Sequence, residues 1–409
     1  MTKIVHIQAG IFTAGRAALR LHNAFLEEKY DSSILSLWPD INDNERIKHM
    51  RIHSNIIGWI DSKLQSFLQR DNNKQFGQFS FPILGTDISR MDQLKEADII
   101  YLHWVQGGFL NLSNIEKLAK LGKPMVIIMH DMWSITGGCH HSFMCEKYKT
   151  RCDHCQMFPK NRIIDLPAFE FNKKRRLYSK YDNLCFVSPS KWLYGCANQA
   201  SLTKDKPLFY IPNIIDNSIF KSFDKTCARQ ILNIHPDETV ISFGAASIDS
   251  PYKGWTYLQK ALELLKQGNS IEKPSVLIFG SGYNKSIADT IPFKSRFTGF
   301  LRDEYSTSLV YNASDVFITP SLADNQPTTV MESMCCGTPV VGFDVGGIPD
   351  MIKHKENGYL AKYKDTEDLV NGVRFCLENN VKGKVLPLFE KSNVIRKHIE
   401  LINSIKIRQ

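Results

Sequence analysis

Much that would classify this chain quickly is missing from it. No stretch approaches the roughly 18 apolar residues that a membrane-spanning helix needs, so no span is expected. The N-terminus, "MTKIVHIQAGIF", has one early lysine and is broken by His6 and Gln8, which fits a buried strand and not a signal peptide. A cytoplasmic location follows as the expectation, and the ten cysteines then read as thiols or metal ligands, since a reducing compartment does not keep structural disulfides. There is no short repeat and no low-complexity tract. With 43% hydrophobic and 23% charged residues, the chain is not a disordered one. Familiar nucleotide loops are incomplete as well. "AGIFTAGRAA" (9–18) has the spacing of a phosphate-binding loop, but Arg16 and Ala17 stand where a lysine and a magnesium-binding hydroxyl are needed. "FGSGYNKS" (279–286) stops after Gly282 and never completes G-x-G-x-x-G.

What is present points to two similar halves. At 409 residues the chain is long enough for two or three domains. Its formal charge of +9 favours anionic partners without choosing among them. Strand-like runs recur at Ile4–Gln8, Ser33–Leu37, Asp98–His103, Met125–His130 and Leu184–Ser188, and Ala14, Ala18, Leu21 and Phe25 mark a helix between the first two. The pattern restarts with Thr239–Phe243, Ser275–Phe279, Asp315–Thr319 and Pro339–Phe343. We therefore expect an α/β fold of two doubly wound domains, 1–207 and 208–386, with "PLFYIPNIIDNSIF" (207–220) as the hinge. The tail 387–409 carries an amphipathic helix expected to cross back to the first domain. Ligands in such sheets sit beyond the carboxyl ends of the strands, so two domains facing each other would form a cleft.

Several side chains fall at those strand ends. His103 closes "DIIYLHW" and His130 closes "MVIIMH". Gly10 and Gly15 let backbone N–H groups approach a ligand at a helix N-terminus, although a plain glycine turn explains them equally. "PSLADNQPTTVMESMCCGTPVVGFDVGG" (320–347) sets Asp324 and Glu332 eight residues apart around a helix that Pro327 starts. Asp324, Asn325 or Gln326 would cap it, leaving the amides of Thr328 and Thr329 for an anion such as a diphosphate. The two acids could each accept hydrogen bonds from sugar hydroxyls. The alternative makes Asp324 a cap and Glu332 a solvated helix residue, but Val330, Met331 and Met334 surround the latter.

"DNQPTTVMESMCCGTPVVGFDVGGIPDMI", "PYKGW" (251–255), "IPNIID" (211–216), "SPSKWL" (188–193) and the strand-end His103 together resemble the retaining glycosyltransferases of family 4, which have the GT-B fold of two Rossmann-like domains. "HDMWSITGGC" is similar to the subgroup that builds bacterial capsule, exopolysaccharide, lipopolysaccharide and O-antigen. The resemblance implies a hexosyltransferase that takes a nucleotide-diphosphate sugar and a glycan acceptor, lipid-linked, at the inner face of the membrane. It implies that Glu332 holds the ribose hydroxyls, Asp324 faces the donor sugar, and Lys253 neutralises the diphosphate. Gly15 would approach that diphosphate across the cleft, and His103 would bond a donor-sugar hydroxyl near the reacting carbon. His130 falls on the acceptor side. The family's first acid is usually glutamate, and an arginine often stands where Ser247 does, six residues before Lys253; Arg302 or Lys191 could supply that charge. No metal is required, because leaving-group charge would be met by Lys253 and helix amides.

"CHHSFMCEKYKTRCDHC" (139–155) holds Cys139, Cys145, Cys152 and Cys155, enough thiolates for a structural zinc, though the first pair is spaced more widely than usual metal clasps. Free thiols are the other reading. "NKKRRLYSK" (172–180) is a solvated helix face or a docking segment for anionic lipid beside Leu177 and Tyr178. Two further readings stand beside the transferase. One is a nucleotide-sugar hydrolase or epimerase of the same fold; the other is a nucleic-acid-binding module using the cysteine cluster, against which the basic residues are dispersed.

Overall fold

Short β-branched runs alternating with amphipathic helices form two parallel sheets in the computed structural model. It describes all residues except 13–14, 40–43, 71, 74, 76, 160–163, 249, 270 and 408–409, so Ala14 of the expected first helix lies outside the described residues. The first sheet contains β1 (Lys3–Gln8), β2 (Asp31–Ser36), β3 (Ile47–His49), β4 (Ile99–Leu102), β5 (Met125–Ile128), β6 (Leu184–Ser188) and β7 (Leu208–Tyr210). Their spatial order is β3-β2-β1-β4-β5-β6-β7, with Ile7 opposite Leu35 on one side and Leu102 on the other. Successive residues face opposite ways along a strand. Val5, Ile7, Ile100 and Leu102 therefore join one core, and Ile4, Ile99 and Tyr101 the other. Burial on both faces explains why these strands read as nearly unbroken apolar runs.

The chain divides into one unit of Met1–Ile214 with Ser392–Gln409, and a second of Ile215–Lys391. The boundary expected after residue 207 lies later, because Leu208–Tyr210 pairs with β6 as an edge strand before the chain leaves the sheet. The terminal helix Lys391–Ile407 packs Val394, Ile395, Leu401 and Ile402 against Ile4, Phe25 and Tyr101 of the first unit. It begins at 391, since Pro387–Phe389 forms a separate turn whose Phe389 is buried in the second unit.

The second sheet contains β8 (Thr239–Gly244), β9 (Pro274–Phe279), β10 (Lys294–Phe297), β11 (Val316–Thr319), β12 (Val340–Phe343) and β13 (Gly358–Ala361), ordered β10-β9-β8-β11-β12-β13. In each unit, then, the strand order reverses beside the first strand: between β1 and β4, and between β8 and β11. Those two reversals open crevices at the carboxyl ends, where helices on either side diverge.

Candidate functional site

In the second unit both strands at the reversal deliver candidate residues. After β8 the chain passes exposed Ser247 into the turn Pro251–Lys253, and Gly254 follows with φ of 71°. Only glycine fits there, because a Cβ would strike the carbonyl oxygen of Pro320 at the end of β11. The Leu322 N–H donates to the Tyr252 carbonyl at 2.7 Å, so the two turns are fastened side by side. Lys253 and Asp324 consequently form an ion pair, Nζ to Oδ2 2.8 Å, with side chains 26% and 14% exposed. Burial disfavours the Lys253 charge, but the Asp324 carboxylate outweighs it and holds the pKa above the usual lysine value.

Asp324 does not cap the following helix. Pro327 is itself the N-cap residue of Thr328–Cys335, without a side-chain cap bond. The charged Lys253 is the stronger partner for the carboxylate. The Asp324 main chain is also fixed, its carbonyl accepting from the Gly347 N–H at 3.2 Å. Thr328 and Thr329 are half-buried at the helix start. Glu332 is 6% exposed and accepts from the Tyr311 hydroxyl at 3.1 Å, so it is no solvated helix residue. Arg302 is exposed just before the helix Glu304–Ala313, and Lys191 belongs to the first unit, where it begins the helix Lys191–Gln199.

In the first unit, Gly15 ends the loop that follows β1, and a Cβ there would collide with the Gly10 carbonyl oxygen. Gln8 binds the two strand ends together. Its Nε2 donates to the Gly10 carbonyl at 2.9 Å and its Oε1 accepts from the Trp104 N–H at 2.9 Å. His103 and His130 meet as expected for adjacent strand ends, but a third imidazole joins them. His6 Nδ1 lies 3.0 Å from His103 Nε2, and His103 Nδ1 lies 3.1 Å from His130 Nε2. His6 Nε2 has no partner among the described residues. A bare acceptor costs less than a bare N–H, so each ring carries its hydrogen on Nδ1 and the chain of donors runs from His6 to His130. Burial lowers the pKa of His6 and His103 well below the usual range and that of His130 to about 4, keeping all three neutral. Both nitrogens of His103 are thus occupied, and the half-buried end of the chain is His130.

His6 and Gln8 were read only as breaks in an apolar run. Two polar residues two positions apart in a buried strand share one face, which was the available signal.

Cys139, Cys145, Cys152 and Cys155 line one cavity of about 30 Å³. Burial pushes the Cys139 thiol up and the Cys152 thiol up to about 12. Among the described residues, no three His, Cys, Asp or Glu side chains are disposed to hold a metal ion. The basic stretch 172–180 is not a wholly solvated face, although Lys173, Arg175, Arg176 and Lys180 are exposed. Leu177 and Tyr178 belong to the core, and Lys174 is fully buried, donating to the carbonyls of Trp133 at 2.6 Å and Thr136 at 3.1 Å. Its ammonium also lies 3.6 Å from the centre of the Trp133 ring.

Residues 237–379 match the family described as "Glycosyl transferases group 1". An uncharacterized glycosyltransferase of Haemophilus influenzae is 28% identical over 148 residues, covering 35% of this chain and 40% of the relative. The chain thus spans less than half of that curated relative. WcaC of Escherichia coli K12, a glycosyl transferase provisionally named for colanic acid biosynthesis, is 25% identical over 72% of this chain and 71% of its own length. Among solved structures, a sucrose-phosphate synthase from Thermosynechococcus elongatus superposes with a TM-score of 0.66 at 15% identity, covering 100% of both chains. HepE of Anabaena, solved with UDP and glucose, gives 0.64 at 15% identity over 99% of this chain and 100% of its own. Such identities speak for the fold: two Rossmann-like units of the GT-B kind. The match to the group 1 glycosyl transferase family falls within the second unit, Ile215–Lys391.

Proposed function

We propose that the protein transfers a sugar, with retention and without a metal, from a nucleotide-diphosphate sugar to a glycan acceptor in cell-surface polysaccharide assembly. The observation that carries this reading is the Lys253–Asp324 pair at the strand reversal of the second unit. A diphosphate arriving there offers Lys253 more negative charge than one carboxylate does. Lys253 turns to the phosphates and meets the charge that grows on the leaving group. Asp324, released, accepts hydrogen bonds from the donor sugar. Glu332, already hydrogen-bonded through Tyr311, takes the ribose hydroxyls. Thr328 and Thr329 contribute helix-start amides. Ser247 and Arg302, both exposed, are proposed to tune the donor with polarity and charge. Because both nitrogens of His103 meet neighbouring imidazoles, its proposed part is to position His130 within the first unit.

Thermal stability against UDP, GDP, CDP, ADP, NAD and their sugar conjugates tests the donor half. A ligand that binds only the folded state raises the melting temperature, and one nucleoside diphosphate with its sugar should do so. Glu332→Ala should weaken that ligand about tenfold or more with the fold intact; unchanged affinity removes Glu332 from the site, and stabilisation by RNA alone overturns the reading. HepE and WcaC support a nucleotide sugar and polysaccharide assembly respectively.

The acceptor is proposed to be lipid-linked, at the inner face of the membrane. No helix among the described residues is long and apolar enough to cross a membrane. The helix Ile52–Leu68, however, exposes Ile52, Ile56, Trp59, Leu64 and Phe67, the pattern of a helix lying on a lipid surface. A structural zinc at Cys139, Cys145, Cys152 and Cys155 is a separate proposal: the four line one cavity, although, among the described residues, no three of them are disposed to hold a metal ion as they stand. Elemental analysis after metal-replete expression should find about one zinc per chain; none leaves four thiols.

A further inference from the structure

A cavity of about 680 Å³ in the first unit has no assigned role. Its size falls in the range of small-ligand sites, about 300–1,000 Å³. Ser62 and Ser66 of the helix Ile52–Leu68, Asn72, Gln78, Ser80 and Trp104 are in its wall. Amides and hydroxyls both donate and accept, as a polyol requires, and an indole offers an apolar face for sugar C–H groups. The Trp104 ring lies 6.3 Å from that of His140, centre to centre.

Ser80 is the distinctive member. Its Oγ lies 2.8 Å from His140 Nε2, and His140 Nδ1 lies 2.6 Å from Asp131 Oδ2. Asp131 also accepts from the Trp133 N–H at 2.7 Å. Burial raises the carboxyl pKa, but His140 and these hydrogen bonds outweigh it and the net shift is downward. An ionised carboxylate only accepts, so the Nδ1 hydrogen of His140 is donated to Asp131, and Nε2 meets the Ser80 hydroxyl. Ser80 Oγ keeps at least one lone pair for a group that donates. The order Asp–His–Ser suggests an acyl nucleophile, but the Ser80 N–H is spent on the Gly138 carbonyl, so it cannot serve an oxyanion. Nor is a buried charge needed to join these segments, because His140 N–H to Gln78 and Ser80 N–H to Gly138 already do so through backbone. Asn72 is the second sign of a ligand: neither atom of its amide has a partner among the described residues, a cost of about 1–3 kcal/mol per group that a turn toward a ligand would relieve.

We propose that this cavity binds a neutral saccharide, the acceptor end of the transfer reaction, with Ser80, oriented through His140 and Asp131, accepting a hydrogen bond from one of its hydroxyls. The identification as acceptor rests on the transferase reading; the saccharide site does not. Saturation-transfer NMR on the full chain, with methyl glycosides of glucose, galactose and N-acetylglucosamine as probes, tests it. The wild-type protein should transfer saturation to sugar protons. Ser62→Trp, a bulky change at an exposed helix position that fills the cavity, should abolish the signal, and Ser80→Ala should weaken binding about tenfold. Both variants should keep the nucleotide-induced thermal shift. No sugar signal with wild-type protein, or equal signals in Ser62→Trp, overturns the site while leaving the donor reading intact. A sugar signal lost in Ser62→Trp, without any nucleotide shift, upholds the site and removes the transferase reading. If Ser80→Ala does not fold, Ser62→Trp decides alone.

Discussion

Lys253→Met should slow sugar transfer about 10²–10³-fold at saturating donor, the loss typical of removing one preorganised group that meets developing negative charge. The side chain is of similar length and apolar, so the turn Pro251–Lys253 and its bond to Leu322 should persist. Stability should fall as well, because Asp324, 14% exposed, is left without its partner. A double variant, Lys253→Met with Asp324→Asn, separates the two effects. Removing both charges should recover much of the stability, as replacing both members of a buried pair generally does, yet activity should stay low. Recovery of activity with stability would mean that Lys253 only holds Asp324 in place. The comparison belongs at neutral pH. The Lys253 pKa is raised in the folded state, so its contribution is complete below the ordinary lysine value and is lost only as pH climbs through the folded one.

Much of this architecture was readable because the relevant signals are local. Buried parallel strands announce themselves as β-branched runs, and the strand ends carried His103, His130 and Asp324 in plain view. The edge strands were harder. β3 and β7 have three residues each, and β10 reads Lys-Ser-Arg-Phe, since an edge strand that must not recruit another chain is kept short or charged. Partnerships were harder still. Nothing between residues 253 and 324 in sequence says that Lys253 and Asp324 pair. That follows from the reversal that makes β8 and β11 neighbours, and from Gly254 allowing the turns to touch. The same holds for His6, whose neighbour in the imidazole chain lies 97 residues away. Lys174 shows the opposite failure. In a run of five basic residues among nine it looked solvated, but helical spacing turned it inward with Phe171, Leu177 and Tyr178, where carbonyls of Trp133 and Thr136 receive it.

Trp59→Ala with Phe67→Ala should leave the fold untouched and reduce binding to vesicles of phosphatidylglycerol about 10²–10³-fold. Both side chains are largely exposed, 60% and 63%, so the folded state loses little with them. Inserted into lipid, each would contribute on the order of 2 kcal/mol of apolar transfer. The charge pattern favours an anionic surface. The helix contains one acid, Asp61, and it is buried, accepting from the N–H groups of Ile83 at 2.9 Å and Leu84 at 2.7 Å. Lys63 and Arg70 flank the apolar stripe, lying over the Trp59 and Phe67 rings at 5.7 Å and 5.1 Å. Basic groups so placed add about 1 kcal/mol each near anionic headgroups, so phosphatidylcholine vesicles should bind more weakly, and salt should weaken but not abolish the interaction. Equal binding by the double variant would deny the helix this role. A dimer of the wild-type protein that the same substitutions dissociate, with no vesicle binding, would assign the stripe to a second copy of the chain. On one side of this helix lies the apolar stripe; on another, Ser62 and Ser66 open onto the polar cavity. A saccharide carried on a lipid needs those two surfaces next to each other, and the helix supplies both: Ser62 and Ser66 follow Trp59 at i+3 and i+7, so the cavity side borders the apolar stripe, which continues round to Phe67.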